Sequence, residues 1–258
     1  MAATPATFAA LLRTAVTEPG TISTAYSAFH NYSLGNQLLA LGQCLARGLQ
    51  PGPLATFPRW KELGRHVVKG QHALTLCMPV TVKRTTETEE SAEEHSFTRF
   101  IYKPHWFVLA QTEGDPIEAP TAPAWDKAKA FTVLHVEQVE FALLDGNVQG
   151  YALEQTISVS PVAALPWKTT FHELAHVLLG HTSEGQRSND QRSPRDLREC
   201  EAEAVALLCC EALGLPGASE ARGYIQSWWG TRNEIPERSA QKILKVADQI
   251  LKAGEVER

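Results

Sequence analysis

At 258 residues, with 43% hydrophobic and 21% charged positions, the chain has the composition of a globular protein of one large domain or two modest ones. The net charge of −5 does not advertise a polyanion-binding surface, and no apolar run reaches the ~18 residues of a membrane span. The N-terminus lacks the basic-then-apolar pattern of a secretory signal, and the five cysteines show no Cys-x-x-Cys spacing, so a reducing cytoplasm is expected.

From the N-terminus, Tyr26–Leu45 has helical periodicity interrupted by Tyr32, Asn36 and Gln37, and a loop runs from Arg47 to Pro53. Trp60–Gly64 reads as a short helical turn closed by glycine. The alternation Leu74, Leu76, Met78, Val80, Val82 predicts a strand and Phe107–Ala110 another, with polar Lys83–Arg99 between them as a mobile hairpin tip. Proline density marks 114–123 as the linker. Beyond it, Asp126–Phe141 mixes helix and strand, and Asp145-Gly146-Asn147 turns between two short strands, the second at Thr156–Ser160. A helix, the polar loop Ser183–Pro194, a second helix from Arg195 and a tail helix over Pro236–Ala253 complete the chain. The fold class expected is α+β.

The segment Thr169–His181 carries the chemistry. Its apolar residues Phe171, Leu174, Ala175, Leu178 and Leu179 recur at helical intervals, and no proline interrupts it. Within it, His172-Glu173-Leu174-Ala175-His176 places two imidazoles one above the other on one helical face. His172 and His176 are then candidate metal ligands, and Glu173 beside them is the candidate general base acting on a metal-bound water. Catalytic zinc takes three protein ligands. His181 misses the position that a third histidine of the longer His-x-x-Gly-x-x-His pattern would need, and reads as a helix C-terminal residue. The second helix offers better candidates. Glu199 and Glu203 share a face at i, i+4, whereas Glu201 points elsewhere. We assign Glu199 as the ligand and Glu203 as the group orienting a ligating histidine, with the reverse as the alternative. The opposing reading, solvated charges at all three, conflicts with the apolar continuation Ala204–Cys210.

The average charge hides a local one: Arg59, Lys61, Arg65 and Lys69, beside His66 and His72, face a single acid, Glu62. Further matches are scattered along the chain. Tyr32–Leu39, Trp60–Gly70 and Gln111–Gly114 in the first half, with Phe171–His176 and Glu199–Glu203 in the second, resemble the plasmid antirestriction family named ArdC. The resemblance implies two domains: 1–118, mixed α/β and binding single-stranded DNA without sequence preference, and 124–258, a zincin-like metallopeptidase domain built on the His-Glu-x-x-His helix. Zinc is the expected ion, manganese the alternative. The first-half residues are compatible with DNA: Arg59, Lys61, Arg65 and Lys69 as cations along phosphates, Tyr32, Phe57, Trp60 and Trp106 as stacking faces, Asn36 and Gln37 as hydrogen-bonding groups. The opposing reading buries Trp60 in the core and makes Arg65 a structural partner. Two other functions compete: a regulatory protease that cuts a repressor or DNA-bound protein, and a DNA-binding protein whose metal only fixes the fold.

Overall fold

The structure, a computed structural model, describes residues 6–88, 91–118, 120–142, 147–182, 194–231 and 235–256, and all their side chains except those of 82–88, 91–98 and 230–231. It is a mixed α+β architecture that divides into two compact units. Among the described residues, one unit comprises Leu39–Pro120 and the other joins Ala6–Leu38 to everything from Thr121 onward.

The first unit starts within α3 (Leu34–Ala46) and continues through β1 (Leu54–Thr56), α4 (Phe57–Glu62), β2 (Arg65–Val67), β3 (Leu74–Thr88), β4 (Ser91–Val108) and β5 (Thr112–Gly114). β3 and β4 pair antiparallel from Leu74↔Trp106 out to Thr88↔Ser91, and β1 adds to the other side of β4. The segment 83–99, expected as a hairpin tip, is therefore mostly ladder: each backbone amide that leaves water finds its partner across the strand pair. Leu74, Leu76 and Val108 are fully buried, as is Trp60 of α4, which is 1% exposed and donates its indole N–H to the Phe107 carbonyl at 2.8 Å. The edge of β3 is closed by a side chain. Gln43 donates to the Thr75 carbonyl and accepts from the Thr75 amide, both at 2.8 Å, as a neighbouring strand would. β2 and β5 approach so closely that a Cβ on Gly114, at φ 135°, would strike the Gly64 backbone.

The second unit holds α1 (Phe8–Thr17), α2 (Thr21–Phe29), the start of α3, β6 (Ala124–Trp125), α5 (Lys127–Leu134), β7 (Glu137–Gln138), β8 (Gly150–Leu153), β9 (Thr156–Val159), α6 (Pro166–Leu178), α7 (Arg195–Leu213), α8 (Ala218–Thr231), α9 (Glu237–Ala253) and β10 (Glu255–Val256). Among the described residues the sheet order is β7-β9-β8, with β8 antiparallel to β9 and at the edge. The turn of that hairpin is Glu154-Gln155, with Glu154 at φ 52°; Asp145 and Gly146, expected to turn the chain, lie outside the described residues. α7 is buried without interruption from Cys200 to Cys210, surrounded by α2, α6, α8 and α9. Such a helix shows no amphipathic stripe because every face is covered. α8 carried no sequence expectation.

The helix expected over Tyr26–Leu45 is two helices separated at 30–33. Each N-terminal helix begins against a carboxylate from far along the chain. Glu237 accepts from the amides of Phe8 and Ala9 at 3.0 and 2.8 Å, Glu211 from Ile22 at 3.0 Å, and Asp248 from Leu34 at 2.9 Å. These are the unpaired first-turn amides, and an anion there also meets the positive end of the helix dipole. Residues 6–38 therefore pack with the C-terminal half, whereas the sequence resemblance had grouped them with an N-terminal domain of 1–118. Arg222 completes the arrangement. It pairs with Glu211 and donates to the Ala15 and Val16 carbonyls near the end of α1.

Among the described residues no helix is long and apolar enough to cross a membrane. Arg222→Ala is expected to destabilise the protein by about 3–5 kcal/mol in urea unfolding, because it strands a buried carboxylate. A loss under ~1 kcal/mol would contradict the pairing.

Candidate metal centre

α6 starts with Pro166 in its first turn, where a missing N–H costs nothing, and crosses beneath β8 and β9. Its buried side, Phe171, Leu174 and Ala175, fixes the rotation of the helix, so that His172 and His176 emerge together on the side facing α7. The two Nε2 atoms are 3.1 Å apart, and Glu199 Oε2 lies 3.4 Å from the first and 3.5 Å from the second. A cation with bonds of about 2.0–2.2 Å spaces its donors about 3.3 Å apart when tetrahedral and about 3.0 Å when octahedral. The triangle fits one divalent ion. The flanking imidazoles of His172 and His176 hold the Glu199 carboxyl well below the usual carboxylate range.

Glu173 is 8% exposed, and burial pushes its carboxyl up to about 7, with His176 opposing and Glu199 and Glu203 adding to the rise. β8 presses on it: a Cβ at Gly150 would crowd the Glu173 side chain and Thr169. A cavity of about 550 Å³ opens on the Gln149–Gly150 side of the triangle. Another of about 740 Å³ opens on the Tyr151–Glu154 side, where Arg195 and Arg198 contribute to its wall.

The outer residues divide between the histidines. Glu203 Oε1 accepts from Lys168 Nζ at 2.6 Å and stands 3.7 Å from His172 Nδ1, beyond hydrogen-bond reach. Glu201 and His181 had no part in the site expected from the sequence. Yet Glu201 is 2% exposed, and its Oε2 is 3.0 Å from His181 Nε2, while His181 Nδ1 is 3.0 Å from His176 Nδ1. Burial pushes the Glu201 carboxyl up, but hydrogen bonds from His181 and Ser239 outweigh it and leave the group below its ordinary value. The sequence signal for this was Gly180, whose φ of 73° ends α6. The amides of Gly180 and His181 return to the carbonyls of Val177 and His176 at 3.0 and 2.8 Å, a closure that swings the His181 ring back beside His176.

The residues expected to contact DNA are less uniform. Trp60 is core, so its ring offers no face to a base. Arg65 is occupied by β5, donating to Thr112 Oγ1 and to the carbonyls of Thr112, Gly114 and Asp115. Gln37 is buried and donates to the Tyr32 carbonyl at 2.9 Å, while Tyr32 and Asn36 are half-buried in the same unit as the metal triangle. Lys61 and Lys69 are exposed. Phe100 and Tyr102, which carried no expectation from the sequence, are 67% and 38% exposed and share one face of β4 at i, i+2.

Residues 13–106 match a family profile described as the N-terminal domain of anti-restriction factor ArdC. The crystal structure of the Antirestriction ArdC protein from R388 plasmid in metal-free form is similar at a TM-score of 0.57 and 20% identity, over 95% of this chain and 97% of that one. Its Mn(II)-bound structure is similar at 0.54 and 19%, over 94% of each chain. The chain is ArdC-like. At these identities the likeness to the solved structures is one of fold, and the ArdC-like assignment rests also on the matched profile. No curated protein sequence matches the chain.

In the metal-free protein, Glu173→Gln is expected to raise stability at pH 7 by about 1–3 kcal/mol, read by urea unfolding. Because the folded-state carboxyl is raised, the stability it supports is complete below its ordinary 4.5 and is lost as pH climbs to about 7. The advantage of the variant therefore vanishes by about pH 4. A variant less stable than the parent at pH 7 contradicts the burial argument.

Proposed function

We propose that this ArdC-like chain is a divalent-metal-dependent hydrolase of peptide bonds, zincin-like in its active-site helix, whose other unit binds single-stranded DNA. The observation that carries the hydrolase reading is the triangle of His172, His176 and Glu199 with Glu173 beside it. Two imidazoles and a carboxylate suit zinc or manganese, and Mn(II) is the ion bound in the R388 ArdC structure. When bound, the ion supplies Lewis acidity, polarising a carbonyl and acidifying a water. With an ion held there, Glu173 would be placed to take a proton from a water and return it to a leaving amine, a task suited to a carboxyl near neutrality. The edge strand β8 flanks both cavities and offers backbone groups to an extended substrate. A purely structural metal is less well supported. Structural sites close around the ion, whereas Glu199 is 36% exposed and the donors open onto cavities.

Metal analysis of the purified protein is expected to find one zinc or manganese per chain, lost in His172→Ala. With the ion supplied, the protein is expected to digest unfolded casein, and Glu173→Gln to bind the ion while losing about 100-fold or more in rate. Undiminished digestion by Glu173→Gln rejects the base, and full metal in His172→Ala rejects the site.

For DNA, the matched N-terminal profile supports the reading, and the exposed cations and aromatics of the first unit that suit it include Arg59, Lys61, Lys69, Phe57, Phe100 and Tyr102. Phe100 and Tyr102 take the stacking role that Trp60 cannot fill. Anisotropy with a dT oligonucleotide is expected to show affinity falling between about 50 and 200 mM salt. Phe100→Ala with Tyr102→Ala is expected to weaken binding about 10-fold or more. No binding at low salt removes the DNA reading, and unchanged affinity in the double variant removes the platform.

A further inference from the structure

We propose that His181 and Glu201 form a positioning relay that fixes the tautomer and ring orientation of His176 at the cation. The inference rests on the reading of His172, His176 and Glu199 as ligands.

With Glu201 ionised and His181 neutral, the distances leave one arrangement of protons. An ionised carboxylate only accepts, so the 3.0 Å contact between Glu201 Oε2 and His181 Nε2 requires a hydrogen on that nitrogen. A neutral His181 then has a bare Nδ1, which only accepts. The 3.0 Å contact between the two Nδ1 atoms is made by the hydrogen of His176. With its hydrogen on Nδ1, His176 presents a lone pair at Nε2, the atom that completes the triangle with His172 Nε2 and Glu199 Oε2. A proton preference set at Glu201 is transmitted through two rings to the metal-facing nitrogen.

Burial keeps the relay from being replaced by water. The side chains of His181 and Glu201 are 6% and 3% exposed. The αL turn at Gly180 places the His181 ring, and α7 supplies Glu201 from the face opposite to the one that carries Glu199 and Glu203. The other histidine has no equivalent: His172 Nδ1 is buried without a hydrogen-bond partner among the described residues. The two imidazoles are thus unequal: the Nδ1 of one is held by the relay, and the Nδ1 of the other is not held by a hydrogen bond among the described residues.

The test is calorimetric titration of the metal-free protein with Mn(II). The double variant His181→Phe with Glu201→Leu removes both polar partners together, so neither is left buried alone. It is expected to keep the metal-free melting temperature within a few degrees while weakening Mn(II) binding about 10–100-fold. His181→Gln keeps a carbonyl to accept from His176 and an amide to donate to Glu201, and is expected to bind within about threefold of the parent. Nitrogen-15 NMR of the metal-free parent is expected to find the His176 proton on Nδ1. Unchanged Mn(II) affinity in the double variant overturns the relay while sparing the metal site, as does a proton found on His176 Nε2. Failure of the parent to bind Mn(II) or Zn(II) overturns both.

Discussion

α7 carries Glu201, Glu203 and Glu211 where water scarcely reaches and Glu199 where the cavities open, and an ionised carboxylate buried there costs several kcal/mol unless donors meet it. The unit around it is arranged to supply them. Glu199 faces His172 and His176, Glu201 faces His181, Glu203 faces Lys168, and Glu211 faces Arg222 and the first turn of α2. The same requirement therefore shapes both scaffold and chemistry. Near its end the helix spends a carboxylate on holding other helices, and near its start it gathers nitrogen donors about a point where a cation fits.

The metal triangle was legible in the sequence because helical spacing is local information. Residues four apart share a face whatever the rest of the fold does, so His172, His176 and the Glu199/Glu203 pair were visible without coordinates. The relay was not, since Glu201 meets His181 only through the crossing of two helices, and the turn that aims His181 depends on the backbone angle of Gly180. A carboxylate two positions from a shared face looks like a surface charge until something covers it.

The aromatic and basic residues of the first half illustrate the converse. Trp60, Arg65 and Gln37 belong to types that recognise nucleic acid, but the same indole, guanidinium and amide satisfy backbone groups, and here they do so. Composition cannot separate the two uses. Phe100 and Tyr102 sit in a strand whose alternation alone does not say which face is covered. The long β3–β4 ladder was hidden for a related reason: polar, acidic residues at 83–99 suggest solvent, yet strand pairing is satisfied by backbone and tolerates any side chain that can stay wet.

The three carboxylate caps also bear on how such a chain diversifies. A peptide starting after residue 120 would keep Glu211, Asp248 and Glu237 but lose the amide clusters they neutralise, and Arg222 would lose its carbonyls. The second unit is consequently not a cassette with one cut site. Gene fusion or recombination that grafts it elsewhere has to carry both chain ends together, or find substitutes for three interlocked helices.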